Sequence, residues 1–188
     1  MNNGKRALGI VAIAAAAFAG PAAAQLKTTD FYVGATYGQG RAHGGCNNVA
    51  GCDDADTTLR VLAGYEINWI LAVEAGYTNL GKQRALGNSY IRSNALEALL
   101  VGTWPVMNRI GVYGKLGVYR GAQEGGGVFA AEKQLNNNFT YGFGAQFSAT
   151  QNLGLRLEWQ NYPDMGGGKV LPKSDIHVVS AGAIWRFQ

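Results

Sequence analysis

Apolar and polar positions alternate with a period of two through most of this chain. Eight segments carry the alternation: Phe31 to Gly40, Thr57 to Ile67, Ile70 to Leu80, Ser93 to Val106, Arg109 to Gly121, Asn138 to Thr150, Leu153 to Tyr162 and Asp175 to Phe187. A strand turns successive side chains to opposite faces, so each segment reads as a half-buried strand. The final stretch, VVSAGAIWRFQ, places Val179, Ala181, Ala183, Trp185 and Phe187 in one register, with Ser, Gly, Ile and Arg between them. The pattern predicts an all-β protein of eight strands and no amphipathic helix.

The connections alternate in length. Asn68-Trp69, Met107-Asn108 and Gln151-Asn152 mark tight turns, whereas Arg41 to Asp56, Gly81 to Arg92, Ala122 to Asn136 and Pro163 to Lys173 are long and Gly-rich or charged. Short turns at one end and long loops at the other fit an up-and-down barrel that spans a membrane.

Period two alone does not say which face points outward; the composition of the two faces decides it. One carries Phe31, Val33, Ala35 and Tyr37, then Leu59, Val61, Ala63 and Tyr65, and continues in this way to Trp185 and Phe187. The other is mostly Gly, Thr, Ser and Gln, with Tyr32, Leu62 and Val101 among them and few charges. A water-facing exterior needs roughly a quarter or more of Lys, Arg, Glu and Asp. The polar face therefore suits the narrow lumen of an eight-stranded barrel, and the apolar face meets lipid. The fold predicted is an eight-stranded antiparallel up-and-down transmembrane β-barrel. Aromatics support it: Phe31, Tyr65, Trp69, Trp104, Phe147, Trp185 and Phe187 fall near the short-turn end, and Tyr77, Tyr141 and Trp159 near the long-loop end. Two such belts flank the apolar band of a membrane barrel.

The first residues change the compartment. Lys5 and Arg6, an apolar run from Ala7 to Ala19, a Gly20-Pro21 break and Ala22-Ala23-Ala24 have the layout of a secretory signal peptide over residues 1–24, leaving the barrel as residues 25–188. Without Lys5 and Arg6, the excess of basic over acidic residues falls from four to two, which removes the argument for a nucleic-acid partner. Export makes a disulfide the reading for the close pair Cys46 and Cys52. A metal site with His43 is the rival reading, and it lacks paired CxxC spacing.

Six charges fall on the lumen face near mid-strand: Arg60, Lys115 and Arg156 against Glu74, Glu97 and Glu158. A balanced set suits mutual neutralisation, because an unpaired buried charge is costly; the alternative is a gate across a narrow water path. Catalysis finds little support. His177 and Ser180 stand three apart, which puts them on opposite faces of a strand, and His43 has no partner acid at recognisable spacing. The runs Gly125 to Gly127 and Gly166 to Gly168 precede no helix and read as loop tips, and Asp53, Asp54 and Asp56 read as a solvated loop. No cofactor, metal or enzymatic activity is expected. Arg41, Lys82, Arg84, Arg92, Arg120, Lys133, Lys169 and Lys173 fall at the loop end, where they would face the phosphates of lipopolysaccharide.

Several stretches resemble the outer membrane protein A family, including its OmpX and Ail type barrels. FYVGATYG resembles the first strand, GYEINWILAVEAGYTNLG a turn-linked pair, WPVMNRIGVYGKLGVYRG the fourth and fifth strands, and GAQFSATQNLGLRLEW the sixth and seventh. The ending SAGAIWRF resembles the signal read by the barrel-assembly machinery, carried here by Ser180, Gly182, Trp185 and Phe187. The resemblance transfers Glu74, Arg156 and Glu158. Val101 stands where an interior base belongs and Gln146 where an acid does, and no cell-wall-binding domain is implied after Phe187. It implies an integral outer-membrane barrel with a structural or surface role. Alternatives are a small gated pore, or an adhesin acting through the long loops, as some relatives do. The implied partners are outer-membrane lipid, lipopolysaccharide, the assembly machinery and host or surface ligands.

Overall fold

A computed structural model describes residues 30–43, 55–84, 90–126, 133–165 and 174–187. They form β1 (Phe31–His43), β2 (Ala55–Glu66), β3 (Leu71–Arg84), β4 (Tyr90–Met107), β5 (Ile110–Gly126), β6 (Lys133–Ser148), β7 (Leu153–Met165) and β8 (Ser174–Arg186). Each strand pairs antiparallel with its neighbours in chain order, and β1 also pairs with β8, so the sheet closes. Closure leaves no open edge, the condition for a sheet to cross hydrocarbon, where an unpaired backbone group costs several kcal/mol.

Alternation along each strand sets the faces. Tyr37, Leu116, Phe143 and Leu157 all point outward and are exposed. Among the described residues, no Asp, Glu, Lys or Arg faces outward between the two aromatic belts. An apolar band this continuous has no stable place in water. Lipid is its solvent.

At the turn end, Asn68 Oδ1 accepts from the N–H groups of Ile70 and Leu71, each at 2.8 Å, and Thr150 Oγ1 accepts from Leu153 N–H at 2.9 Å. Side-chain oxygens close these turns by taking up backbone donors that the ladder leaves free. At the loop end the strands run further than the alternation predicts: β1 reaches His43, β5 reaches Gly126 and β6 begins at Lys133. Pairs such as Arg92↔Glu124 and Glu124↔Lys133 continue the backbone ladder above the lipid band, where water meets the outer face and no apolar period is required. Gly125 and Gly126 accordingly belong to β5, paired with Ile91 and Tyr90, and are not loop tips. At the other end, β8 stops at Arg186, and Phe187 N–H still donates to Phe31 O at 3.0 Å. Residues 1–24, Cys46, Cys52, Asp53, Asp54, Lys169 and Lys173 lie outside the described residues.

The lumen is layered. Leu80, Tyr119, Tyr162, Met165 and Ile176 form an apolar layer toward the loops, and Tyr32, Leu62, Val101, Tyr113 and Ile184 form another toward the turns. Large rings fit because glycines face them: a Cβ on Gly64 would overlap Tyr32 Cζ, and one on Gly144 would stand 2.6 Å from the Tyr113 ring. Between the two apolar layers lies a polar one.

Candidate functional site

The polar layer contains Arg60, Glu74, Glu97, Lys115, Arg156 and Glu158, one or two from each of β2, β3, β4, β5 and β7, and all six are buried. Even-numbered positions of β2, β3 and β7 and odd-numbered positions of β4 and β5 face inward, so the registers Arg60↔Thr78, Gly76↔Glu97 and Gly144↔Glu158 carry these side chains to similar depth.

Arg60 sits at the centre. Its Nη2 lies 3.0 Å from Glu74 Oε2, its Nη1 lies 3.5 Å from Glu158 Oε1, and its Nε donates to Glu97. Lys115 Nζ stands 3.0 Å from Glu158 Oε1, an ion contact without an aligned hydrogen bond. Arg156 pairs with Glu74 through Nη1 and donates from Nε to Gln146 Oε1 at 2.9 Å. Its guanidinium carbon lies 5.3 Å from the Tyr32 ring centre and 5.1 Å from that of Tyr113, so the cation stacks between two aromatic faces.

Neutral groups complete the set. Tyr32 donates to Glu74 at 2.8 Å and Tyr113 to Glu158 at 3.0 Å, while Glu97 accepts from Gln160 at 2.7 Å and Tyr162 at 3.0 Å. Buried carboxylates are tolerated where their lone pairs find donors, and these hydroxyl and amide groups add donors to those of the counter-ions. Sequence reasoning did not single out Tyr113, Tyr162, Gln160 or Thr78 as members. The signal was present in their parity, since Tyr113 shares the inward register of Lys115, and Gln160 and Tyr162 share that of Glu158.

Gln146 and Val101, two positions singled out through the resemblance, carry no charge. One is an acceptor without charge on Arg156, and the other is an apolar side chain of the inner layer. Among the described residues, the layer holds three charges of each sign. Below this layer a vestibule of about 290 Å³ opens at the turn end, with Glu66, Asn68 and Thr103 on its wall and Val101 and Arg156 above. Arg186 Nε and Glu66 Oε1 pair at 2.9 Å in its mouth, a rim contact that the charge pattern did not single out.

The remaining sites are dispersed. Ser180 faces the lumen with its hydroxyl 3.4 Å from Glu158 Oε1, whereas His177 lies outward and stacks on Trp159 at 5.6 Å, so the two do not meet. Gly182 faces the lumen against Thr36, and Trp185 and Phe187 are exposed on the lipid face. Asp56 accepts from Thr57 N–H and Lys82 N–H, which occupies its carboxylate within the fold. Arg41, Lys82, Arg92 and Arg120 are exposed at the loop end. Only the backbones of His43, Arg84 and Lys133 are described.

The family model of the OmpA-like transmembrane domain matches residues 26–188. The chain is similar to outer membrane protein A of Klebsiella aerogenes, 25% identical over 189 residues that cover 94% of this chain and 54% of that protein. It thus spans about half the length of this curated relative. Its fold is similar to that of Neisserial surface protein A, with a TM-score of 0.64 and 19% identity over 84% of this chain and 97% of that one. It is also similar to the attachment invasion locus protein Ail of Yersinia pestis, solved in complex with the heparin analogue sucrose octasulfate, with a TM-score of 0.57 and 16% identity over 84% of this chain and 97% of that one. The closed eight-strand sheet, the outward apolar band and the family match together place this chain in the OmpA-like transmembrane domain family, as a β-barrel of the bacterial outer membrane.

Proposed function

We propose that this barrel is a closed structural element of the outer membrane that presents its surface role at the loop end, and that its lumen charges hold the strands together without conducting ions or catalysing a reaction. One observation carries the reading: six mutually paired ions fill the middle of the lumen, with an apolar layer on each side. An ion crossing this lumen would have to break several charge-assisted contacts at once and then pass apolar side chains. The separation of His177 from Ser180 supports the non-catalytic part. Residues 1–24 serve in this reading as an export leader, Cys46 and Cys52 as a disulfide, and Ser180, Gly182, Trp185 and Phe187 as the assembly signal.

Single-channel recording of the refolded chain in planar bilayers tests it. A silent wild type is expected, with the folded state verified by the mobility difference between unheated and boiled gel samples. Discrete steps from the wild type that enlarge in Arg156→Ala would favour the gated pore instead. A second reading rests on the exposed bases Arg41, Lys82, Arg92 and Arg120, which make the loop end a candidate for polyanionic surface ligands. Retention on a heparin column that disappears when the loops are shortened would support it.

A further inference from the structure

The vestibule at the turn end is walled by groups that the ion pairs of the lumen leave unused. Val101 and Arg156 close its inner end, with Gln146 beside Arg156 in register, and Glu66, Thr103 and Arg186 stand nearer its mouth. Gln146 is only 9% exposed, and its Oε1 accepts from Arg156 Nε at 2.9 Å. An arginine can only donate, so the amide oxygen has to face it. The Gln146 Nε2 group is thereby turned away, and it has no hydrogen-bond partner among the described residues although the side chain lines the cavity.

The charges seen from this cavity differ from those of the layer above it. Arg156 and Glu74 are partners, yet the Arg156 side chain keeps 4% of its surface exposed and that of Glu74 keeps 0%. The cavity wall therefore includes the cation and not its carboxylate. Arg186 adds a second cation at the mouth: its Nε holds Glu66, and its two Nη groups have no hydrogen-bond partner among the described residues. Gly154 makes room for it, since a Cβ there would stand 3.3 Å from Arg186 Nη1. Two arginines against the carboxylate of Glu66 leave the wall with an excess of positive charge, and the free donors of Gln146 and Arg186 share it.

From this juxtaposition we infer that the vestibule binds a small solute carrying one carboxylate, which enters from the turn side and sets that group against the Gln146 amide and the open edge of Arg156, beneath Arg186. Guanidinium and amide N–H groups suit a planar carboxylate, and a hydrogen bond to an ionised acceptor is about twice as strong as a neutral one. A single negative charge matches the excess on the wall, whereas a doubly charged phosphate exceeds it. The volume of about 290 Å³ lies at the low end for ligand pockets, which limits the solute to about the size of one amino acid. Ala72 and Val101 offer an apolar wall to a short side chain. The ion pairs above close the inner end, so binding here requires no passage through the barrel.

Solution NMR of the isotope-labelled chain refolded in lipid nanodiscs tests the site, with N-acetylalanine as the probe and its uncharged methylamide as the control. Saturating shifts of the Gln146 side-chain amide and the Thr103 backbone amide are expected with N-acetylalanine, and none with the methylamide. Gln146→Glu keeps a partner for Arg156 but removes the free donor and adds a charge of the wrong sign, so binding followed at Thr103 is expected to weaken by about ten-fold or more. Glu66→Gln removes the acid of the wall and is expected to tighten binding by about two-fold, a change that a purely structural role of these residues would not produce. Arg120→Ala, at the loop end, binds as the wild type does. A response that does not saturate, equal shifts with the methylamide, or unchanged binding in Gln146→Glu would each overturn the assignment and leave a vestibule that holds water alone; tighter binding of inorganic phosphate than of N-acetylalanine would overturn the choice of a carboxylate. Each sample is first tested for the heat-dependent gel shift, so a failure of the barrel itself is seen separately from a failure of the site.

Discussion

At one depth in this barrel, a single wall presents opposite solutions on its two sides. Inward, Arg60, Glu74 and Glu97 lie buried in a net of ion pairs, and outward, their immediate neighbours Val61, Ala75 and Ala98 carry no polar side chain. Depth is the same on both sides; partners are not. Charge is admitted where a closed set of counter-ions and hydroxyls awaits it, and is absent where only hydrocarbon does.

Breaking the inner set is expected to cost most. Arg60→Ala leaves Glu74, Glu97 and Glu158 without their shared cation, and loss of a buried partner typically costs ~3–5 kcal/mol. Urea unfolding in lipid vesicles, followed by gel mobility, measures it; a loss below about 1 kcal/mol would mean that water already screens the layer. Moving charge to the outer side comes next. Ala63→Arg, outward on the strand that carries Arg60, is expected to destabilise by ~2–4 kcal/mol in the same assay, and a neutral result would show that this position does not face lipid.

A smaller effect sharpens the packing side of the comparison. Gly64→Ala drives a Cβ into the Tyr32 ring, which also donates to Glu74, and overpacking of this kind costs ~1–3 kcal/mol. Adding Tyr32→Phe tests the coupling, because removal of the hydroxyl frees the ring to shift and the two losses should not add. The smallest effect is expected at the vestibule mouth. Glu66→Gln breaks the pair with Arg186 where Glu66 is 40% exposed at its side chain, so the change should stay within ~0–1 kcal/mol and shrink with added salt. A loss as large as that of Arg60→Ala would place this rim pair inside the cooperative core.

The membership of the polar layer is partly legible in the sequence. Parity along each strand separates Lys115 and Glu158 from their apolar neighbours, so the six charges are recognisable as one inward-facing population. Their pairing is not legible: the contact between Arg60 and Glu158 joins residues 98 positions apart, and no local pattern chooses it over other combinations of three bases and three acids. The same limit hides the seat of Arg156 between Tyr32 and Tyr113, which are distant in sequence from each other and from the arginine. The loop-end extensions of β1, β5 and β6 escape the alternation for a different reason. Above the lipid band, backbone hydrogen bonds continue without any demand on side-chain polarity, so the sequence there carries no period to read.

By itself, then, the sequence determined the strands, their inward and outward faces and the family, because a pleat of period two writes the solvent of each face directly into alternate residues. Only closure of the barrel decided which charges meet, which rings cap them and which side chains share the turn-end vestibule. Register between strands and the joining of β8 to β1 place residues from opposite ends of the chain a few ångströms apart, and those distances belong to the assembled sheet.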